Sequence, residues 1–315
     1  MMLRKPNTFI IGAPKCGTTA LCEYLKTHPN VFFSNPKELL FWADDFPRAN
    51  ESSHTPIHSV DQYMRVFSKV SSEHSVIAEG TVTYLYSKSA VKRIIEFNPA
   101  AKFIVMARNP IAMAESWYGE LCYNGYEDLL TFEEAWNAQG DRALQKRIPY
   151  GCKVPEFLQY KAVCSVGEQV ERLLRIVPPS QVHLLSLEAF IANPLSEYRQ
   201  VLRFLGLDDD GRTEFPSVNE AKAMRIRALR RLFCPPRILK PGIDLIRRSY
   251  GLAPRAIRSR IDMILRPKRT RNRLSAILLE SMAKSFHEDQ LLLSSLMEGY
   301  CLGDYVSKKV HNGSR

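Results

Sequence analysis

Between Phe9 and Leu21 the chain reads FIIGAPKCGTTAL, and Gly12, Gly17 and Thr19 fall on the phosphate-loop frame G-x-x-x-x-G-K-[ST]. Thr18 stands where that frame carries its lysine, and the nearest lysine, Lys15, comes three residues early. An apolar strand that runs into such a loop and then a helix gathers backbone N–H groups around one point, to which the helix N-terminus adds partial positive charge. Gly17 lets the backbone approach closely, Thr18 and Thr19 offer hydroxyl donors, and Lys15 places a full charge on the loop. These residues predict an anion site. A kinase or NTPase loop also needs its lysine on the β- and γ-phosphates and an acid at a later strand end for magnesium. Here the later strand, in KFIVMARNP, ends in Arg108. The expectation is a gripped phosphate without the usual means of handling a magnesium-bound γ-phosphate. A strand–turn–helix corner in which glycine serves only the turn is the plainer alternative.

Arg108 opens a second candidate. It follows a strand, and Ser116 lies eight residues on, about two turns into the next helix. Such a pair suits a second phosphate, with Arg108 making charge-assisted hydrogen bonds. Alone, R-N-P fits a capping or surface arginine equally well. Cys16 sits inside the anion loop, a setting that can acidify a thiol. No base accompanies it, so it reads as incidental. Among the seven histidines, His28 belongs with Pro29 to a helix stop and His183 to a strand.

The elements that must hold these residues alternate. Strands are predicted at Thr8–Gly12, Asn30–Phe33, Ser75–Glu79, Lys102–Ala107 and Val182–Leu187. Helices are predicted at Gly17–His28, Val60–Lys69, Ser87–Phe97, from Pro110, and from Pro194 to Leu205 with Gly206 as the stop. That alternation predicts an α/β fold, a P-loop-like parallel sheet flanked by helices on both faces. A closing amphipathic helix over 275–305 would place Leu278, Met282, Phe286, Leu291 and Leu292 on one side. We expect a single domain over 1–315, with a basic helical insertion at 222–273 inside it.

Bulk properties narrow the classes. The 315 residues are 45% hydrophobic and 24% charged, as in an ordinary soluble protein. No apolar run approaches the roughly 20 residues a bilayer requires. The N-terminal FII is too short for a secretory h-region. Seven scattered cysteines without a C-x-x-C pair point to a reduced, cytoplasmic setting, with neither a disulfide framework nor a zinc site. The net charge is +11, yet 222–273 holds 17 Lys or Arg against Asp244 and Asp262, a local +15 that leaves −4 for the rest. Basicity belongs to that segment alone.

Together the two motifs carry a family resemblance. PKCGTTAL and RNPIAMAES resemble the 5′- and 3′-phosphosulfate motifs of sulfotransferases that use PAPS (3′-phosphoadenosine 5′-phosphosulfate). NPKELLFW is similar to that family's K-E segment, and IAEGTVTYLYS to its acidic strand end followed by S/T-P-x-Y. LTFEEAW, VGEQVERLL, LLSLEAF, FLGL and the closing helix follow in the family's order, over about 5–210 and 275–305 and closest to its glycan-modifying and bacterial branch. Val82 replaces the usual proline and Met113 a common arginine.

The resemblance implies a metal-free transfer of the sulfuryl group from PAPS to a hydroxyl or amine of an acceptor, a carbohydrate or glycolipid, leaving PAP (3′-phosphoadenosine 5′-phosphate). It assigns the base to Glu79 and charge neutralisation on the leaving oxygen to Lys15. Cys16, Gly17, Thr18 and Thr19 would hold the 5′-phosphate, and Arg108 and Ser116 the 3′-phosphate. Lys37 is a substrate-side candidate or else a solvated partner of Glu38. A kinase or NTPase and a non-catalytic nucleotide- and polyanion-binding module are the competing classes.

The basic segment has three readings: a solvated face, recognition of an acidic glycan, or contact with a membrane surface that presents a glycolipid. Nucleic acid ranks last, because aromatic residues are thinly interleaved there. Oligomeric state is not set by any of these features.

Overall fold

β1 (Thr8–Gly12), TFIIG, is short, apolar and buried at every position, as befits the centre of a sheet covered on both faces. The computed structural model describes residues 4–46, 49, 56–216 and 274–312, with 299–312 as backbone only. Within it, β1 joins β2 (Val31–Phe33), β3 (Val76–Glu79), β4 (Lys102–Ala107) and β5 (Val182–Ser186) in a sheet of order β2-β3-β1-β4-β5. Every pairing is parallel, with Phe9 opposite Phe103 and Val105 opposite Leu184. Phe9 and Phe103 also stack at 5.8 Å in the core.

The order explains where a site can form. From β1 the chain turns toward β2 and β3; from β4 it turns the other way, to β5. The connections therefore diverge between β1 and β4, and ligands of open α/β sheets bind at the carboxyl ends of such strands. Register shifts between Ile10 and Gly12, and Ala13 N donates to Met106 O at 2.8 Å, so the loop after β1 is tied to the end of β4.

The helices follow local signals. Thr18–Lys26 follows the loop, and Ala90–Phe97 starts after Ser87 and Ser89, whose hydroxyls donate to Asp45 Oδ1. Pro110–Asn124 starts at a proline capped by Asn109, whose Oδ1 accepts from Ile111 N and Ala112 N at 3.1 Å. Pro194–Leu205 stops at Gly206, which adopts φ +77°. The expected strand to Leu187 ends one residue earlier. Ser186 instead caps a helix over Leu187–Ala192, its hydroxyl accepting from Ala189 N.

The chain divides into two compact units, one of 1–113, 163–218 and 283–315, the other of 114–162 and 219–282. The first holds the sheet. In the second, a capping box between Thr131 and Glu134 starts Phe132–Asn137. Its core contains a buried ion pair: Arg142 grips Glu127 through two hydrogen bonds of 2.6 and 2.8 Å, and Tyr160 OH donates to the same carboxylate at 2.6 Å.

The closing helix runs over Ala276–Asn312, longer than expected. Leu278, Met282, Phe286 and Asp289 are buried, but Leu291 is exposed, which corrects the expected apolar side. Five residues beyond Phe286, Leu291 lies about 140° further round a helix of 3.6 residues per turn. Asp289 takes its place: its carboxylate accepts from Gly167 N and Glu168 N at 3.2 and 2.9 Å and so caps Val166–Leu174. The basic insertion at 222–273 lies outside the described residues. No described helix is long and apolar enough to cross a membrane.

Candidate active site

The helix Thr18–Lys26 begins at Gly17, which has φ +84° and makes no side-chain cap, and its first turn carries no acid. Its first N–H groups and partial positive charge are thus left for an anion. A Cβ at Gly17 would lie 2.6 Å from Leu187 Cδ1, so glycine is required for space as well as for φ. Lys15 also adopts a left-handed conformation, φ +64°, which is uncommon for a residue with a side chain. Thr18 is buried, and Thr19 is half-buried on the same turn.

Arg108, at the end of β4, turns back to this loop. Its Nη1 donates to Lys15 O at 3.1 Å. The two motifs are thereby joined directly. Asn109 N donates to Glu188 Oε1 at 3.1 Å, which ties the same strand end to the helix after β5. Ser116 is half-buried in the second turn of Pro110–Asn124, past the point where the second compact unit begins.

Cys16 stands in a loop whose charges could acidify a thiol, yet its surroundings act the other way. It is fully buried, and its Sγ faces Pro14 O at 3.4 Å and Met113 Sδ at 3.7 Å. Burial pushes its pKa well above the ordinary thiol value, outweighing the nearby charges of Arg108 and Lys15. Met113, which departs from the family pattern, is therefore the partner against which the loop cysteine packs.

Glu79 ends β3 and is fully buried. Thr81 Oγ1 and Tyr84 OH each donate to Oε1 at 2.8 Å, and Tyr63 OH donates to Oε2 at 2.5 Å. Burial raises its pKa from 4.5 to about 7; the three hydroxyl donors act against that rise, and the charge of Glu38 adds to it. A carboxylate balanced near neutrality suits a proton acceptor.

Lys37 lies between the loop and β3. Its Nζ is 3.5 Å from Thr18 Oγ1 and 3.4 Å from Glu38 Oε1, so it pairs with Glu38 and also reaches the loop. A Cβ at Gly80 would come 3.2 Å from Lys37 Cε, so glycine after Glu79 leaves room for this ammonium stem. Among the described residues, no group of three or more His, Cys, Asp or Glu is placed to hold a metal ion.

Sequence reasoning gave no role to Tyr63, Asn109 and Glu188. Thr81 and Tyr84, two and five residues after Glu79, lie on the S/T-P-x-Y resemblance, but their contact with the carboxylate was not read from it. Tyr63 lies sixteen residues upstream on Val60–Arg65, and no local pattern links it to the carboxylate.

The sulfotransferase domain profile matches residues 5–222. The chain belongs to the sulfotransferase family. The fold of this sulfotransferase is similar to a crystal structure of a sulfotransferase from Alicyclobacillus acidocaldarius, with 25% identity, coverage of 94% of this chain and 96% of that one, and a TM-score of 0.67. Among curated proteins it is 28% identical over 244 residues to the bifunctional heparan sulfate N-deacetylase/N-sulfotransferase 3 of Mus musculus. It is 29% identical over 214 residues to the N-deacetylase/N-sulfotransferase 1 of Homo sapiens. These matches cover 73% and 65% of this sulfotransferase but only 25% and 22% of the two relatives, so it spans about a quarter of their length.

Proposed function

We propose that this sulfotransferase moves the sulfuryl group of PAPS to a hydroxyl or amine of a glycan or glycolipid, with Glu79 as the base. The observation that carries the reading is the hydrogen bond from Arg108 to the Lys15 carbonyl at the divergence point of the sheet, with Glu79 buried at the end of the neighbouring strand.

The residues fit a bisphosphorylated nucleotide. An uncapped helix N-terminus, two threonine hydroxyls and Lys15 make an anion cradle, and Arg108 adds a guanidinium beside it. Bound there, PAPS would supply an activated sulfuryl group. Lys15 neutralises charge on the leaving phosphate oxygen, Thr18 and Thr19 hold the 5′-phosphate, and Arg108 with Ser116 holds the 3′-phosphate. Lys37 supports the acceptor side, and Glu79 takes the proton from the attacking group. A glycan acceptor is favoured by the names of the curated relatives, which are heparan sulfate enzymes. The basic segment 222–273 would then meet an anionic glycan or an anionic lipid surface.

The test is a transfer screen with labelled PAPS against glycans, glycolipids and phenols, with Glu79→Gln as the control. Transfer to a glycan that Glu79→Gln lowers by about 10²–10⁴ while PAP still binds is the expected result. Full activity in that variant would remove Glu79 from its role.

A further inference from the structure

The three hydroxyls on Glu79 are not equivalent. Thr81 and Tyr84 come from the turn after β3 and have second duties there: Thr81 Oγ1 also accepts from Leu39 N and Leu40 N, and Tyr84 OH from Trp42 N. Both donate to Oε1. Oε2 receives Tyr63 OH, the shortest of the three contacts, from a separate helix. A carboxylate oxygen has two lone-pair sites. Among the described residues, Oε1 has two donors, while Oε2 has Tyr63 alone and keeps one site for an incoming proton.

We propose that Tyr63 is a positioning residue for the base, its hydroxyl aiming Oε2 at the acceptor and holding the buried carboxylate in its ionised form. The inference rests on Glu79 being the base in the reading above. When the acceptor loses its proton, the O–H or N–H bond breaks and the proton joins Oε2. The acceptor's electron pair forms the new bond with sulfur, while the bond from sulfur to the bridging oxygen of the 5′-phosphosulfate breaks and that oxygen leaves with its electron pair on PAP. Tyr63 keeps its own proton throughout.

The surroundings support that role. Tyr63 is fully buried, its ring stacked on Phe41 at 5.0 Å and set against Trp42 at 4.9 Å and Phe67 at 5.3 Å. The phenol is therefore held by its ring while its hydroxyl serves the carboxylate. Burial and the Glu79 charge raise the Tyr63 pKa well above 10, so it is a donor at any working pH. Among the described residues, the other titratable groups near Glu79 are Tyr84, which also donates, Glu38, whose charge opposes ionisation, and Lys37, whose stem packs at Gly80.

Tyr63→Phe keeps the ring and removes the donor. The infrared carbonyl band of protonated Glu79, assigned by its absence in Glu79→Gln, reports the base directly and without turnover. In Tyr63→Phe its titration midpoint is expected to rise by about one pH unit or more, since loss of a hydrogen bond to a charged group disfavours ionisation. kcat/KM should fall about tenfold below neutral pH and recover in alkali. PAP affinity by calorimetry should match the wild type, which verifies the fold. Replacing Tyr63 with 3,5-difluorotyrosine, a stronger donor, should lower the midpoint. An infrared midpoint that neither replacement moves overturns the proposal. If the midpoint moves and the activity profile does not, Tyr63 still sets the ionisation of Glu79, but its part in positioning a base is overturned along with the base assignment.

Discussion

Arg108 Nη1 donates to the Lys15 carbonyl across 3.1 Å, joining residues 93 positions apart. The guanidinium thus braces a lysine whose own backbone is left-handed. A residue in that conformation costs on the order of 1–3 kcal/mol and persists only where its surroundings hold it. The arginine serves the loop as well as any second phosphate.

Arg108→Ala is expected to weaken PAP binding by about 10- to 100-fold, the range for a hydrogen bond to a charged group. Arg108→Lys should recover only part, because an ammonium cannot reproduce the planar fork. Calorimetry with PAP reads both, and amide exchange at residues 13–19 should quicken in the alanine variant. Unchanged affinity in Arg108→Ala would remove it from the nucleotide site.

Gly17→Ala faces two obstacles, φ +84° and Leu187 Cδ1 at 2.6 Å. It should destabilise by about 1–3 kcal/mol and abolish PAP binding. Leu187→Ala in the same chain relieves the steric part only, so the double variant should recover some stability relative to the sum of the single changes. Strict additivity in chemical denaturation would show that Leu187 does not set the constraint.

Glu79 makes stability depend on pH with a definite sign. Its folded pKa of about 7 stands above the ordinary 4.5, so between those values the folded state holds a proton that the unfolded chain has released. Stability is therefore lost as pH rises across that window, by on the order of 3 kcal/mol. Glu79→Gln removes the titration. The stability difference between variant and wild type should change between pH 5 and pH 8 in favour of the variant, as read from urea midpoints.

The Arg142–Glu127 pair should punish half-removal. Arg142→Met strands a buried carboxylate and is expected to cost about 3–5 kcal/mol. Adding Glu127→Leu should return most of that loss, since an apolar pair of similar size needs no charge compensation. Thermal unfolding of the single and double variants checks it.

Much of the first unit was legible locally. Thr8–Gly12, Lys102–Ala107 and Pro194–Leu205 were bounded correctly because apolar runs, a loop glycine, a proline start and a glycine stop are punctuation carried by adjacent residues. The chemistry-bearing loop and Arg108 were visible as residue types at strand ends, whereas Glu79 was singled out by the family resemblance. Leu291 was misplaced because its apolar character matched the pattern while its angle about the helix did not. That the Cys16 thiol is less acidic than usual was not legible, because a cationic loop points toward acidity, whereas the atoms covering the thiol remove the solvent that a thiolate needs.

The order of residues along the chain was enough to name an anion loop, a second cation and an acidic strand end, because those depend on neighbours a few positions away. Which carboxylate oxygen stays open, how far burial lifts Glu79, and that Arg108 reaches Lys15 came from the folded arrangement. Desolvation and hydrogen bonding act over a few ångströms in space, and strand order and helix packing choose which distant side chains fall within that range.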